Sequence, residues 1–295
     1  MDSPVPPGID TDQVTWRELH AEVAAVLPDH EARWLVEEVS GLDRSRWSDP
    51  APDGAPPRLR SMVERRTGGE PLQYVLGRWS FRGLDLVVDS RVLIPRPETE
   101  MLAEVALAEA RRRGGPSVVA DLGTGSGALA LALAAELPGA EVWATDVSAD
   151  ALAVARSNLA AVGPEAAARV HLAEGMWYEA LPADARGRLR VIVSNPPYVT
   201  DAEFAGLPPE VRDHEPAGAL LAGPTGRESL EHLVAGGLDW LEPGGALVLE
   251  LAPHQARSLR ATAEAAGYAD VAVHRDLAGR DRVLVARRPD EGGPA

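Results

Sequence analysis

The sequence predicts an α/β fold, a doubly wound and mostly parallel sheet of seven strands, preceded by a small N-terminal helical domain and a β-hairpin. Two observations support this fold class. From about residue 101, short apolar runs alternate with segments of helical periodicity, as in right-handed βαβ units that build a parallel sheet covered on both faces. Before residue 78, apolar residues recur at helical spacing. The predicted strands are 117–122, 141–146, 169–173, 190–194, 245–251, 270–276 and 282–288.

The first part of the chain is predicted to be a short tail followed by a helical domain. Residues 1–14 are rich in Pro and Asp, and we expect them to be disordered. Within 15–77, the residues Trp16, Leu19 and Val23 follow one another at i+3 or i+4, which is typical of an amphipathic helix. We expect the Trp residues of this domain to lie in its core.

The segment 78–100 is predicted to be a β-hairpin linker. It alternates apolar and polar residues around a glycine in WSFRGLDLVVDSRVLIPRPETE. The α/β domain would then cover 101–289, with a tail at 290–295. The connection between the last two predicted strands is too short for a helical crossover, so the final strand should run antiparallel. Helices are predicted between the strands, for example at 126–137, 149–162 and 227–240.

Composition limits the classes of function. The 295 residues include 45 acidic and 29 basic ones, for a net charge of -16. A protein that binds bare nucleic acid usually carries a basic surface, so we expect no stable nucleic-acid binding. The lack of cysteine excludes disulfides and thiolate metal sites, and no metal site is predicted. The chain shows no signal-peptide pattern and no apolar run that could span a bilayer, so we expect a cytoplasmic protein.

A glycine-rich loop follows the first strand of the α/β domain, in VVADLGTGSGALALALAAEL. Its glycines, Gly123, Gly125 and Gly127, allow positive φ and let backbone N–H groups approach a ligand. The loop lies at the carboxyl edge of the sheet, where open α/β folds bind ligands. Thr124 and Ser126 lie between the glycines, and we expect Ser126 to cap the following helix. A tight turn without a ligand is the simpler alternative.

An acidic residue, Asp146, ends the second strand about 23 residues beyond Gly123. A carboxylate at this position can accept from both ribose hydroxyls of an adenosine-containing cofactor. Ser148 is available to cap the next helix, so Asp146 is not needed for that role. Both NAD and S-adenosylmethionine fit this geometry. The glycine loop and Asp146 alone therefore do not indicate whether the reaction is hydride transfer or methyl transfer.

The stretch VIVSNPPYVT ends the fourth strand in Asn195-Pro196-Pro197-Tyr198. Proline lacks an N–H and pushes the preceding residue toward extended backbone, so two prolines fix an extended corner with free carbonyl oxygens. Asn195 adds a side-chain acceptor, and Tyr198 offers a flat face to a planar group. Two acceptors a few ångströms apart suit the two donors of a substrate –NH2 group. A structural bend after a buried strand is the alternative.

The motifs DLGTGSG, TDVSADALAVARSN and VSNPPYV resemble those of class I S-adenosylmethionine-dependent methyltransferases, which have a Rossmann-like fold, and in particular those that modify planar amines. The stretch QYVLGRWSFRGLDLVVDSRVLIPRPETEML is similar to the segment that marks the release factor glutamine methyltransferases, the HemK/PrmC family. LEPGGALVLELA and RDLAGRDRVLVARR also match that family. The resemblance covers about residues 70–290.

The resemblance implies methyl transfer from S-adenosylmethionine, leaving S-adenosylhomocysteine, to the glutamine amide in the Gly-Gly-Gln motif of class-1 peptide chain release factors. By motif match, the implied cofactor-binding residues are Gly123, Thr124, Gly125, Ser126 and Gly127 at the methionine part, Asp146 at the ribose, Trp177 at the adenine, and Asn195. The implied glutamine pocket consists of Asn195, Pro196, Pro197 and Tyr198, of which Asn195, Pro196 and Tyr198 would be catalytic. Arg96, Glu98 and Thr99 would roof the site.

One position departs from the family pattern. Met176 stands where relatives often place an acid just before the Trp, and Glu174 lies two positions earlier. The contact to the adenine amine would come from Glu174 or from the backbone. We further expect a monomer whose helical domain recognises the body of the release factor.

Two other functions are compatible with parts of the sequence. The NPPY tetrapeptide is shared with DNA adenine methyltransferases, but a nucleic-acid amino methyltransferase would need a recognition region and a basic face. A nucleotide-binding dehydrogenase would explain the glycine loop and would leave the NPPY corner unexplained. We therefore favour the protein-glutamine methyltransferase.

Overall fold

The computed structural model describes residues 14–290, and these divide into two compact units between Leu76 and Gly77. The tail predicted at 1–14 lies outside the described residues except for Val14. Val14 packs against the core of the first unit, and its carbonyl oxygen accepts a hydrogen bond from the N–H of Ala51. Within the described residues, no helix is both long and apolar enough to cross a membrane.

The first unit is helical, as predicted. Thr15 caps the first helix in a reciprocal capping box with Glu18, and the second helix ends at Gly41 with φ +63°. Trp16 and Trp47 are buried in the core, where the sequence predicts them. The helices are α1 (Trp16–Ala24), α2 (Asp29–Ser40), α3 (Ala55–Thr67) and α4 (Leu72–Leu76).

The second unit begins with the hairpin, which is shorter than predicted. Its strands are β1 (Arg78–Phe81) and β2 (Leu84–Val87), and the helix α5 (Pro97–Arg111) begins inside the predicted 78–100 segment. Pro97 takes the first helical position, where its missing N–H costs nothing, and acidic residues fill the first turn. The PRPETE stretch is therefore a helix start, and the prediction that the linker is β-structure up to residue 100 is wrong.

The sheet of the second unit has seven strands in the order β5-β4-β3-β6-β7-β9-β8. The first five are parallel, and β9 runs antiparallel to both β7 and β8, which confirms the predicted fold class and the antiparallel final strand. The strands are β3 (Val118–Leu122), β4 (Glu141–Asp146), β5 (Val170–Glu174), β6 (Leu189–Ser194), β7 (Leu241–Glu250), β8 (Ala269–Arg275) and β9 (Asp281–Arg287).

Helices cover both faces of this sheet. One core cluster contains Val119 and Val191, and the other contains Ala120 and Ile192, because successive side chains of a strand point to opposite faces. The predicted helix 149–162 is α-helical only to Asn158 and continues as a 3-10 turn. The remaining helices are α6 (Ala128–Glu136), α7 (Ala149–Asn158), α8 (Gly163–Ala167), α9 (Asp201–Phe204), α10 (Pro209–Arg212), α11 (Glu228–Trp240) and α12 (Ala256–Ala265).

Candidate active site

A cavity of about 440 Å³ opens at the carboxyl ends of β3, β4 and β6, entirely within the second unit. The strand order reverses between β3 and β6, which is where open α/β sheets bind ligands. Of the residues that the sequence predicts for the site, the cavity wall contains Gly123, Thr124, Gly125, Ser126, Asp146, Trp177, Asn195 and Pro197. Gly127, Pro196 and Tyr198 are not part of that wall.

The glycine loop connects β3 to α6 with three residues in the left-handed region. The φ angles of Gly123, Gly125 and Gly127 are +77°, +57° and +84°. A Cβ at Gly125 would meet no protein atom within 4 Å, whereas one at Gly127 would lie 3.3 Å from the Cβ of Ala155. Gly125 thus leaves room for a ligand, and Gly127 lets α6 pack closely on α7.

Ser126 does not cap α6. Gly127 occupies the N-cap position and has no side chain to cap the helix, and the first-turn N–H of Ala130 donates to Asp121 instead. Ser126 therefore lies one residue too early to reach the free N–H groups of the helix, and the prediction for its side chain is wrong. Its carbonyl oxygen instead accepts a hydrogen bond from the side chain of Asn158.

Asp146 holds the glycine loop in place and also faces the cavity. Its Oδ2 accepts from the N–H of Gly125 and its Oδ1 from the N–H of Ser148, both at 2.9 Å. Each carboxylate oxygen keeps a second lone pair, so the side chain can accept two further donors. Ser148 caps α7 by accepting from the N–H of Ala151, as predicted.

A second buried carboxylate, Asp121, supports the loop from beneath and was not predicted. Its Oδ2 accepts from Thr124 Oγ1 at 2.6 Å and from the N–H of Ala130 at 3.1 Å. Burial raises the pKa of Asp121 to about 7, although these two hydrogen bonds act to lower it. The only sequence signal was an acid inside an otherwise apolar strand.

Trp177 lies on the glycine loop. Its ring is 3.4 Å from where a Cβ of Gly123 would stand, and its own φ is +50°, which is unusual for a bulky residue. Met176 and Val147 line the same region and are more than half exposed. Glu174 ends β5 and is not part of the cavity wall, so the carboxylate considered for the adenine amine lies outside it.

The NPPY corner follows β6. Ser194 Oγ donates to the carbonyl oxygen of Leu122 at 2.6 Å, which joins the ends of β6 and β3. Asn195 Nδ2 donates to Thr99 Oγ1 at 3.2 Å, and among the described residues no group donates to Asn195 Oδ1. The carbonyl oxygen of Tyr198 accepts from Gln255 Nε2 at 3.1 Å, which fixes the corner from behind.

Of the three predicted roof residues, Arg96 and Thr99 line the cavity, and Glu98 does not. Glu98 instead lies 3.5 Å from Arg280. Arg96 forms an ion pair with Glu215, whose side chain is buried and also accepts from the N–H of Ile94. Glu215 thus ties the segment before α5 to the one after α10, a link between residues more than one hundred positions apart that sequence patterns could not reveal.

Asn158, the last residue of the motif TDVSADALAVARSN, joins the hairpin to the glycine loop. Its Nδ2 donates to the carbonyl oxygens of Val87 at 3.0 Å and Ser126 at 2.9 Å, and its Oδ1 accepts from the N–H of Val87 at 2.7 Å. One buried amide therefore satisfies backbone groups of two segments.

The sheet order with an antiparallel β9, the glycine loop, the acid at the end of β4 and the acceptor corner after β6 define a class I methyltransferase. Residues 98–206 match the model of the methyltransferase small domain, and residues 17–77 match that of the PrmC N-terminal domain. A crystal structure of a methyltransferase from Pyrococcus furiosus shares the fold with a TM-score of 0.51 and 21% identity, covering 71% of this chain and 91% of that one.

The curated relatives are more specific. The chain is 44% identical to the release factor glutamine methyltransferase of Deinococcus radiodurans over 88% of this chain and 91% of that protein. It is 41% identical to the release factor glutamine methyltransferase of Gloeobacter violaceus over 92% of this chain and 95% of that protein. The chain belongs to the release factor glutamine methyltransferase family.

The family and the fold imply S-adenosylmethionine as cofactor, and the cavity fits that molecule in three respects. Its volume of about 440 Å³ lies in the range of small-molecule sites. Gly125 has no side chain, so the space beside the loop stays open for a ligand. Asp146 retains acceptor capacity for a diol.

Proposed function

We propose that this protein methylates the side-chain amide nitrogen of the glutamine in the Gly-Gly-Gln motif of class-1 peptide chain release factors. Family membership supports the reaction class and the kind of substrate. The observation that carries the proposal is the free acceptor Oδ1 of Asn195, in the wall of the same cavity as the glycine loop. An acceptor there suits a substrate that offers N–H groups.

In this proposal, the loop from Gly123 to Gly127 holds the methionine part of S-adenosylmethionine and Asp146 accepts from its ribose hydroxyls. Trp177 and Met176 contact the adenine, and the backbone near Gly175 supplies the polar contact. When bound, the cofactor supplies an electrophilic methyl group on a sulfonium. The chain's own residues then have to orient the substrate nitrogen toward it.

An amide nitrogen is a poor nucleophile because its lone pair is delocalised into the carbonyl. Asn195 Oδ1, in the cavity wall, would accept one N–H group, and the carbonyl oxygen of Pro196, next in the chain but outside that wall, is proposed to accept the other. Two such bonds favour pyramidal nitrogen and stabilise positive charge that develops there. Burial raises the pKa of Tyr198 to about 12, so its phenol stays protonated at neutral pH and does not act as a base. Holding the amide in line supplies the remaining advantage. The methylated nitrogen then releases one of its two protons to water, which leaves the neutral N-methyl amide.

We also assign the parts of the chain. Residues 15–77 would recognise the body of the release factor, 78–100 would link the domains, and 101–289 would carry the reaction. A protein that acts on release factors would work in the cytoplasm, and we propose a monomer that does not bind nucleic acid stably.

The test combines the purified protein, S-adenosylmethionine and a class-1 release factor, followed by mass spectrometry of the peptides. A single added methyl group should appear on the Gly-Gly-Gln glutamine, and the intact factor should react faster than a Gly-Gly-Gln peptide because the helical domain binds its body. Methyl groups in DNA or RNA, or on another residue of the factor, would contradict the proposal. Asn195→Ala should lower kcat by about 10²–10³-fold while S-adenosylhomocysteine still binds in calorimetry.

A further inference from the structure

Three polar side chains from three separate elements form a hydrogen-bonded series that ends in the cavity. Glu250 is the last residue of β7, Thr99 lies in the first turn of α5, and Asn195 follows β6. Thr99 Oγ1 donates to Glu250 Oε2 at 2.9 Å, and Asn195 Nδ2 donates to Thr99 Oγ1 at 3.2 Å. Glu250 and Thr99 are buried, and Thr99 and Asn195 line the cavity.

The charge of Glu250 sets the direction of every bond in this series. An ionised carboxylate can only accept, so Thr99 must give it its single hydroxyl proton. The hydroxyl oxygen can then only accept, and Asn195 must turn its –NH2 group toward it. The amide oxygen Oδ1 is left facing away from Thr99. The oxygen and the –NH2 group of an amide are nearly equal in shape, so packing alone would not favour either orientation. The hydrogen bond to Thr99 decides between them.

We propose that Glu250 is a positioning residue for methyl transfer, which acts through Thr99 to keep Oδ1 of Asn195 available to the substrate amide. This inference rests on the proposed function, since an acceptor is needed there only if the substrate offers N–H groups. Glu250 itself is not part of the cavity wall, so it contributes through orientation and not through contact with the reacting atoms.

The series should reverse when Glu250 takes up a proton. A carboxylic acid can donate to Thr99 Oγ1, which frees the hydroxyl proton of Thr99 for Oδ1 of Asn195. The amide can then turn over and present donors where the substrate needs an acceptor. Protonation would therefore inactivate the site without unfolding it.

This change falls in an accessible pH range. Burial raises the pKa of Glu250 to about 7, against the lowering effect of the Thr99 hydrogen bond and of nearby arginines. The other charged and titratable groups that face it are Arg282 on β9, Arg96 and Glu98 at the start of α5, and Tyr198 after β6. The activity should accordingly fall as the pH drops through about 7.

The first test compares the pH dependence of kcat in the wild-type protein, Thr99→Val, Thr99→Ser and Glu250→Gln. Thr99→Val removes the hydroxyl at nearly equal volume, and kcat should fall about tenfold to a hundredfold, with no acid limb near pH 7. Thr99→Ser keeps the hydroxyl, so it should keep the acid limb and react about tenfold faster than Thr99→Val. Glu250→Gln should be slower than wild type and should lose the acid limb.

Calorimetry with S-adenosylhomocysteine supplies the control. Affinity should change less than about threefold in all three variants, because neither Thr99 nor Glu250 is assigned to the cofactor. A Thr99→Val variant that loses kcat and affinity in parallel would overturn the inference, as would a Glu250→Gln variant with the wild-type acid limb.

A second measurement needs neither substrate nor cofactor. In the free protein, the NMR signals of the Asn195 side-chain –NH2 group should shift as the pH passes about 7, and this shift should vanish in Glu250→Gln. Signals that do not move in the wild type would refute the relay. If the wild-type protein fails to methylate a release factor while these signals titrate, the proposed function is wrong and the relay stands.

Discussion

At the scale of single residues, the three glycines of the loop serve different physical needs. All three have positive φ, but the surroundings of a Cβ differ: open space at Gly125, the Trp177 ring at Gly123, and Ala155 and Leu131 at Gly127. Only at Gly125 would a side chain enter the cavity without disturbing the protein around it. Substitution there should therefore separate ligand binding from folding.

We predict that Gly125→Ala lowers the affinity for S-adenosylhomocysteine by at least about tenfold, since the new methyl group would occupy the cavity, and costs about 1 kcal/mol in stability from the left-handed backbone. The matched control is Gly139→Ala, at an exposed turn with φ +86° and equally open surroundings. Calorimetry should show wild-type affinity for Gly139→Ala. Equal losses in both variants would mean that backbone strain, and not the cavity, limits binding.

The sequence allowed prediction of those cavity-wall residues that lie in short motifs at the ends of strands. Asp146 is the last residue of a strand, the glycine loop and the NPPY corner each follow one, and a parallel sheet brings strand ends to one edge. Glu215 and Glu250 could not be predicted, because their partners Arg96 and Thr99 are 119 and 151 positions away. The pattern around Ser126 predicted a helix cap one residue too early, since only the backbone shows that Gly127 is the N-cap.

At the scale of elements, the hairpin is joined to the α/β core through the end of α7. Asn158 bonds both backbone groups of Val87 in β2 and the carbonyl oxygen of Ser126. The bond to Ser126 is buried and the two bonds to Val87 are partly buried, so loss of the amide would leave a buried carbonyl oxygen without its partner.

We predict that Asn158→Ala lowers the free energy of unfolding by about 2–4 kcal/mol, because one buried and two partly buried hydrogen bonds are lost at once. It should also weaken cofactor binding, since the glycine loop loses one of its supports. Ser157→Ala is the control: its exposed hydroxyl bonds only to the carbonyl oxygen of Ala153, and the change should stay within about 0.5 kcal/mol. Urea denaturation measures the free energy of unfolding of both variants. If Asn158→Ala leaves it nearly unchanged, water replaces the hydrogen bonds of the amide.

The elements themselves were largely predictable because their patterns are local. All seven strands of the sheet lie within a few residues of their predicted positions. The largest difference is at β7, which starts at Leu241 and not at 245. The sequence Glu242-Pro243-Gly244-Gly245 resembles a loop, but the strand continues through it with an irregular register opposite β6. The predicted hairpin is too long because Leu93-Ile94 continues the apolar pattern of the strands, although these residues do not form a strand.

At the scale of the whole molecule, two opposing groups of carboxylates set the dependence of stability on pH. Arg66 lowers the pKa of Glu31, and Arg82 lowers that of Glu136. Burial raises the pKa of Asp121 and of Glu250 to about 7. Glu31 and Glu136 stabilise the folded state at any pH above the ordinary pKa of a carboxylate. This contribution is lost as the pH falls through their lowered pKa values.

We predict maximum stability at about pH 5. Between about pH 4 and 7 the folded state holds protons on Asp121 and Glu250 that the unfolded state has released, so the free energy of unfolding falls as the pH rises. In Asp121→Asn, the difference between the free energies of unfolding at pH 5 and at pH 8 should shrink by on the order of 2–4 kcal/mol. Asp53→Asn, at an exposed turn, should leave the difference unchanged in urea denaturation. A stability that rises steadily to pH 8 would refute the assignment.

The position of β9 has a consequence for synthesis on the ribosome. This strand is made after the other six, yet it lies between β7 and β8 and bonds to both. A nascent chain that has not yet reached Asp281 can assemble the cofactor half of the sheet, but β7 then has an unpaired side that can pair with other chains. The sheet can therefore close only once β9 has been made, and a chain truncated before Asp281 should aggregate more readily than one that includes β9.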